Sequence, residues 1–182
     1  MLVTQHRGSL GILSPEHEHQ RVKVVQMLTK AYWMEVETVM SYLANSINPD
    51  GVRAQEIIES LRKDVDEELG HARLFGERIK ELHGVVPGSM EFEPAQSYLQ
   101  PPEHQTDIVH VIKGVIEAET GAIEHYSEII AATDQIDPVT QDMVTAILHD
   151  EQRHRRLFEG YLREYEVEAA SAGAMPDAGA MR

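Results

Sequence analysis

The sequence predicts an all-α protein, a four-helix bundle built from two antiparallel hairpins joined by one long crossover. Three observations predict it. Four long segments carry apolar side chains at alternating three- and four-residue steps, the period of a helix with one buried stripe. Two of the three connections are short, whereas the middle one, Val85 to Gln105, is long and holds Pro87, Gly88, Pro94, Pro101 and Pro102. Short turns make antiparallel neighbours, and a connection of that length is able to run the length of a bundle. Cysteine is absent from all 182 residues, which leaves no disulfide framework as an alternative.

Each element has its own signals. The first helix is predicted over roughly Pro15 to Ile47, with Ser14 as N-cap and Pro15 at the first helical position. The turn Asn48-Pro49-Asp50-Gly51 ends it. The second is predicted from Val52 to His83, with Gly84 as the residue just past its end. After the crossover, the third starts near Thr106-Asp107 and runs to about Thr133. The fourth opens at Asp137-Pro138, again a cap followed by proline, and ends near Glu168. Three parts follow: an N-terminal tail over 1–14, the bundle over 15–168, and an Ala/Gly-rich mobile tail over 169–182.

Composition narrows the function. At 42% hydrophobic the chain has enough apolar surface for one substantial core. The missing cysteines exclude thiolate zinc sites, a rubredoxin-type iron centre and iron–sulfur clusters. Met1 to His19 contains no apolar core of signal-peptide length and no later run reaches a membrane span, so a cytoplasmic protein off the membrane is expected. Sixteen basic against 31 acidic side chains give a net charge of −15. That disfavours nucleic acid, whose phosphates demand a positive surface, and suits a protein that attracts cations.

The chemistry sits in a doubled motif. Glu68-Leu69-Gly70-His71 recurs as Glu151-Gln152-Arg153-His154. One Glu-x-x-His is weak evidence, and Glu16-x-x-His19 is read as a chance copy, with no role assigned to His17 or His19. The context gives the other two their force. Glu35 lies 33 residues before Glu68, and Glu119 lies 32 before Glu151. Tyr42 follows Glu35 by seven positions and Tyr126 follows Glu119 by seven. On a helix the three-residue step puts a carboxylate and an imidazole on one face.

These residues interrupt the apolar stripes. The stripes read Leu28, Tyr32, Glu35, Val39, Tyr42; Leu61, Asp64, Glu68, His71, Phe75; Ile116, Glu119, Ile123, Tyr126; and Ile147, Glu151, His154, Phe158. The candidates stand where the period demands an apolar side chain. A buried carboxylate needs a partner or becomes neutral. Four glutamates and two histidines at one depth are explained together by two metal ions, the ligand set of a carboxylate-bridged pair inside a bundle. Glu37 competes with Glu35 and Glu117 with Glu119, because a two-residue step turns the helix by about 200° and only one of each pair faces inward. The tyrosines at +7 favour Glu35 and Glu119. Glu67 is set aside because only Glu68 is three before His71. Asp64 is placed beside the cluster or at the surface, and Tyr42 and Tyr126 are core residues whose hydroxyls reach a ligand carboxylate.

With these residues in place, the chain resembles the ferritin-like superfamily, and within it the bacterioferritin and Dps-like ferritin branch, over about Val24 to Tyr165. The resemblance rests on Asp66-Glu67-Glu68-Leu69-Gly70-His71-Ala72, on Asp150-Glu151-Gln152-Arg153-His154 and on the inward Glu35 and Glu119. It implies a di-iron centre that oxidises Fe(II) with O₂ or H₂O₂, for iron storage or detoxification, in a homo-oligomeric shell or dimer. The departures are informative. Haem-binding bacterioferritins place an axial Met directly after the second-helix Glu; Leu69 stands there, so haem is not expected. Some Dps-like ferritins carry a cysteine pair, absent here. Rubrerythrins add a Glu where this chain has Ala122. Mini-ferritins of the Dps type build their centre between subunits, and no Lys-rich DNA-binding tail precedes Pro15.

The combined reading is a ferroxidase. Glu35 and His71 hold one iron, Glu119 and His154 the other, and Glu68 and Glu151 bridge both. Hard carboxylates with one imidazole per metal suit iron or manganese, and zinc is a possible unreactive occupant. The alternative is a manganese catalase-like or other di-metal oxidase acting on peroxide or a small molecule, without mineral storage.

Overall fold

The structure, a computed structural model, describes residues 11–173. Four long helices carry it: α1, Glu18–Asn45; α2, Gln55–Glu81; α3, Ile108–Thr133; and α4, Pro138–Gly173. No strand occurs among the described residues. α1 packs along α2 and α3 along α4, and the two hairpins meet mainly through α1 and α3. The fold is the all-α four-helix bundle with one long crossover that the connection lengths predict.

Local chemistry sets the helix ends. Asp107 accepts the His110 N–H at 3.1 Å and Asp137 the Thr140 N–H at 3.1 Å, capping α3 and α4 as expected. α2 ends differently from the sequence expectation. His83, not Gly84, adopts the left-handed backbone, with φ 66°. The N–H of His83 bonds Lys80 O and that of Gly84 bonds Ile79 O, the paired closure of a Schellman motif. Gly84 is required for space instead: a Cβ there would lie 2.8 Å from the side chains of Ile79 and Val25.

Both expected tails are shorter than the sequence suggests. Residues Gly11–Leu13 form a 3₁₀ turn, Ile12 is buried, and its N–H bonds Ile136 O at 3.0 Å. That short segment is therefore docked on the bundle, held by one buried apolar side chain. At the other end α4 continues past Glu168 to Gly173, through Ala-Ala-Ser-Ala, whose alanines are strong helix formers. The remainder of both expected tails, 1–10 and 174–182, lies outside the described residues.

The crossover is pinned to α1 by polar contacts. Glu37 accepts the backbone N–H of Ala95 at 2.9 Å and of Gln96 at 2.8 Å. Gln96 Nε2 donates to Thr38 at 2.9 Å, and Asn45 Nδ2 donates to Leu99 O at 2.8 Å. Leu99 is buried against α3, where Gly114 lets the chain approach: a Cβ at Gly114 would lie 2.6 Å from Tyr98 O.

The core is two apolar clusters with a polar layer between them. Leu28, Phe75, Ile79, Tyr126, Ile129 and Val144 pack at one end. Tyr42, Ile57, Leu61, Ile112, Val115 and Phe158 pack at the other. Full burial of either Phe contributes enough that truncation to Ala costs about 3–5 kcal/mol. These two clusters fix the depth and rotation of all four helices, and so position the layer they enclose.

Candidate metal centre

The layer between the clusters contains all six residues that the stripes single out. Glu35, Glu68, His71, Glu119, Glu151 and His154 are each buried, none more than 5% exposed. They form two overlapping groups: Glu35, Glu68, His71 and Glu151 in one, and Glu68, Glu119, Glu151 and His154 in the other. Within each group one donor atom per residue lies within 4.8 Å of every other. Glu68 and Glu151 belong to both.

Distances show the near-symmetry of the hairpins. His71 Nδ1 lies 3.1 Å from Glu68 Oε2, 3.1 Å from Glu151 Oε1 and 3.9 Å from Glu35 Oε1. His154 Nδ1 lies 3.4 Å from Glu68 Oε1, 3.8 Å from Glu151 Oε2 and 3.9 Å from Glu119 Oε1. The tyrosines cross between hairpins. Tyr42 on α1 donates to Glu119 on α3 at 2.5 Å, and Tyr126 on α3 donates to Glu35 on α1. A small cavity of about 10 Å³ opens beside the carboxylates, lined also by Thr38, Ala118 and Ala122.

Two competitions left open by the sequence resolve here. Glu117 is exposed, and Glu119 is the inward residue of its pair. Glu35 faces the layer, whereas Glu37 is buried elsewhere, beneath the crossover backbone that it binds. His17 and His19 belong to no cluster of candidate ligands among the described residues.

The electrostatics are those of crowded, desolvated acids. Burial, reinforced by the charges of Glu151 and Glu68, raises the pKa of Glu35 well above the usual carboxylate value, and burial with the same two charges does so for Glu119. Burial alone would lower both histidines. Donation to the carboxylates of Glu151 and Glu68 outweighs it, and both imidazoles rise to about 10. Glu151 in turn falls to about 2: burial opposes ionisation, but hydrogen bonds from His154 and His71 prevail. Burial also raises Tyr42 and Tyr126 further above their ordinary value, so both hydroxyls remain donors.

Each of the two donor groups could hold a metal ion. Glu68 Oε1, Glu151 Oε1 and His154 Nδ1 are buried without a well-directed hydrogen bond although they lie close to complementary groups. Such orphaned atoms are rare in folded proteins and call for an explanation. Donor atoms gathered within 4.8 Å of one another, some of them without a well-directed hydrogen bond, are a set that an ion could satisfy. Carboxylate oxygens with one imidazole each match the preferences of iron and manganese.

A Ferritin-like domain model matches residues 25–167 of this chain. The chain belongs to the ferritin-like family. A "DNA protection during starvation protein" of Pyrococcus furiosus is 33% identical over 161 residues, covering 81% of this chain and 85% of the relative. A bacterioferritin of Desulfovibrio desulfuricans is 26% identical over 148 residues, covering 81% of this chain and 78% of the relative. Among solved structures, a dodecameric thioferritin of Bacteroides fragilis superposes with a TM-score of 0.72 at 24% identity, over 83% of this chain and 90% of that one. The Desulfovibrio desulfuricans bacterioferritin, solved with its diiron site in different catalytic states, gives 0.70 at 22% identity, over 91% and 95%. At these identities the structural likeness establishes the ferritin-like fold.

Of the groups behind the histidines, Asp64 lies beside the cluster, one of the two places the sequence left open, and is buried; Glu67 and Asp150 are the ones sequence reasoning missed. Asp64 Oδ1 and Glu67 Oε2 lie 3.8 Å and 3.3 Å from His154 Nε2, and Asp150 Oδ2 lies 3.7 Å from His71 Nε2. Glu67 and Asp150 stand 83 positions apart, the offset that also separates Glu68 from Glu151 and His71 from His154. That offset was the available signal. Carboxylates on the outer nitrogen of a ligand histidine orient the ring and make it a better donor.

Proposed function

We propose that this protein binds two Fe(II) ions per subunit at Glu35, Glu68, His71, Glu119, Glu151 and His154 and oxidises them to Fe(III), with O₂ or H₂O₂ as the oxidant. The observation that carries this reading is the pair of buried ligand groups sharing Glu68 and Glu151 inside one bundle. Glu35 with His71 serves one ion, Glu119 with His154 the other, and Glu68 and Glu151 serve both. Two adjacent ions supply the two electrons that peroxide reduction needs. The chain's own residues hold the ions at fixed separation, keep bulk water out between two apolar clusters, and provide tyrosine hydroxyls that steady Glu35 and Glu119.

Storage or detoxification follows if the subunits assemble into a closed shell, and a homo-oligomer is part of the proposal. Exposed apolar residues support it: Val22, Met40 and Leu43 on α1 and Ile47 just past its end. No helix among the described residues is long and apolar enough to cross a membrane, and a cytoplasmic location is proposed. The test is anaerobic addition of Fe(II) to metal-free protein followed by oxygen or peroxide. The expected result is a fast rise in Fe(III) absorbance that saturates at two irons per chain and disappears in the Glu68→Ala/His71→Ala double variant. A fast phase that survives in that variant overturns the assignment. Rapid peroxide disproportionation by manganese-loaded protein, without iron oxidation, would replace it with the catalase-like reading.

A further inference from the structure

Glu67 and Asp150, two of the carboxylates behind the histidines, share Arg153 as a counter-ion. Arg153 Nη2 lies 2.5 Å from Glu67 Oε1 and 3.3 Å from Asp150 Oδ1. Each of these acids faces the histidine of the opposite hairpin. Here the pseudo-symmetry of the hairpins stops. The position matching Arg153 at the 83-residue offset is Gly70, and a Cβ built there would meet nothing within 4 Å. One guanidinium therefore spans the gap between α2 and α4, with open space rather than a second side chain on the other side.

Exposure rises outward along this line. The side chains of His154 and His71 are 3% and 7% exposed, those of Glu67 and Asp150 are 25% and 32%, and Arg153 is 45%. The sequence of groups is an anionic path from solvent to the buried layer, with the Arg153 guanidinium across its mouth and the exposed His149 imidazole beside it, 3.5 Å from Asp150 Oδ1. Glu67, His71 and Asp150 also bring one donor atom each to within 4.8 Å of one another, close enough to share an ion in transit. A half-exposed ion pair of this kind is weak and exchangeable. A divalent ion is a stronger competitor for the same oxygens.

We propose that divalent cations reach the centre between α2 and α4 by displacing Arg153 from Glu67 and Asp150, so that Arg153 is a gate setting the rates of metal uptake and loss. The inference rests on the di-metal reading above. It differs from a structural role, in which Arg153 would merely hold the two acids against the histidines. It differs also from a pure charge effect. Removing a positive charge speeds uptake by attraction and slows release, whereas removing a gate speeds both.

The test uses metal-free full-length protein and Co(II), whose d–d absorbance reports binding without turnover. Uptake is followed by stopped flow and release by mixing the loaded protein with excess chelator, for the parent, Arg153→Ala and Arg153→Lys. Arg153→Ala should speed both uptake and release by about two- to fivefold, the scale of one partly exposed ion pair, with stoichiometry unchanged. Arg153→Lys keeps a cation at the mouth and should stay closer to the parent. It also serves as the second variant, and circular dichroism checks that both are folded. Unchanged rates, faster uptake with slower release, or weakened affinity with unchanged uptake would each overturn the gate. If the parent itself fails to take up two Co(II) per chain, the di-metal reading fails and the gate with it, a result distinct from the other three.

Discussion

Tyr42 on α1 donates a 2.5 Å hydrogen bond to Glu119 on α3, and its repeat mate Tyr126 returns the bond in the opposite direction, from α3 to Glu35 on α1. The exchange ties the two hairpins together at the depth of the candidate centre. It also opposes protonation of the glutamates, because the hydroxyl bond favours the ionised carboxylate on each.

Tyr42→Phe and Tyr126→Phe should therefore act on metal binding and stability together. Each should lower metal-free stability by about 1 kcal/mol, the net value of a hydrogen bond. Each should also move the pH midpoint of Co(II) uptake upward, since protons then compete harder for Glu119 or Glu35. Titrations across pH check this; an unmoved midpoint would show that the hydroxyls serve packing only.

The metal-free protein should lose stability as pH rises. Glu35 and Glu119 are raised well above 4.5, and His71 and His154 from 6.5 to about 10. Each binds more protons folded than unfolded between its two values, so stability falls with pH there. The glutamates act from 4.5 upward, and the histidine contribution, complete below 6.5, is lost as pH passes through about 10. Asp64, raised by burial from 3.8 to about 6, adds a decline between those values. Glu151 has the opposite sign: lowered to about 2, its contribution is present above 4.5 and lost in acid. Thermal melts of metal-free protein should thus give a higher Tm at about pH 5 than at about pH 8.5. Cation binding should release protons from Glu35, Glu119, His71 and His154, measurable as calorimetric heats that vary with the buffer.

The legible part of this chain is the part governed by helical period. A carboxylate in an apolar stripe announces itself, which is why Glu35, Glu68, Glu119 and Glu151 stood out, and the +7 tyrosines separated Glu35 from Glu37. What Glu37 does was not legible, because it binds the backbone of Ala95 and Gln96, and a loop's course leaves no periodic trace. Gly84 reads in the sequence as a conformational requirement and is a steric one, since Val25, distant in sequence, crowds it together with Ile79. Glu67 was discarded for failing the spacing to His71. Its partner is His154 on the other hairpin, a pairing that only the fold brings about.

Paired substitutions should separate the acids whose charge is opposed by burial from the acids that partner the histidines. Glu35→Gln/Glu119→Gln removes two carboxyls whose charge is opposed by burial and by the neighbouring Glu151 and Glu68, so metal-free Tm at neutral pH should rise, by about 2–4 °C for each kcal/mol gained. Glu68→Gln/Glu151→Gln removes the partners of both imidazoles, and Tm should fall. With Co(II) at a hundred times Kd the parent should gain about 2.7 kcal/mol per site, and both variants less. Equal responses of the two pairs would contradict the charge assignment.

Leu69, exposed on α2, has no donor atom for iron. Protein expressed with added haem should show no bis-methionine haem spectrum. Stoichiometric haem would mean that another methionine, such as the exposed Met40, supplies the axial ligand.

The central claim is that six buried side chains hold two ions with Glu68 and Glu151 shared. Anomalous diffraction from crystals of the protein loaded anaerobically with Fe(II), recorded on both sides of the iron edge, addresses it directly. The expected map has two peaks per chain inside the bundle, one against Glu35 and His71, the other against Glu119 and His154, with Glu68 and Glu151 touching both. A single peak, or peaks confined to the surface acids with the interior empty, would contradict it.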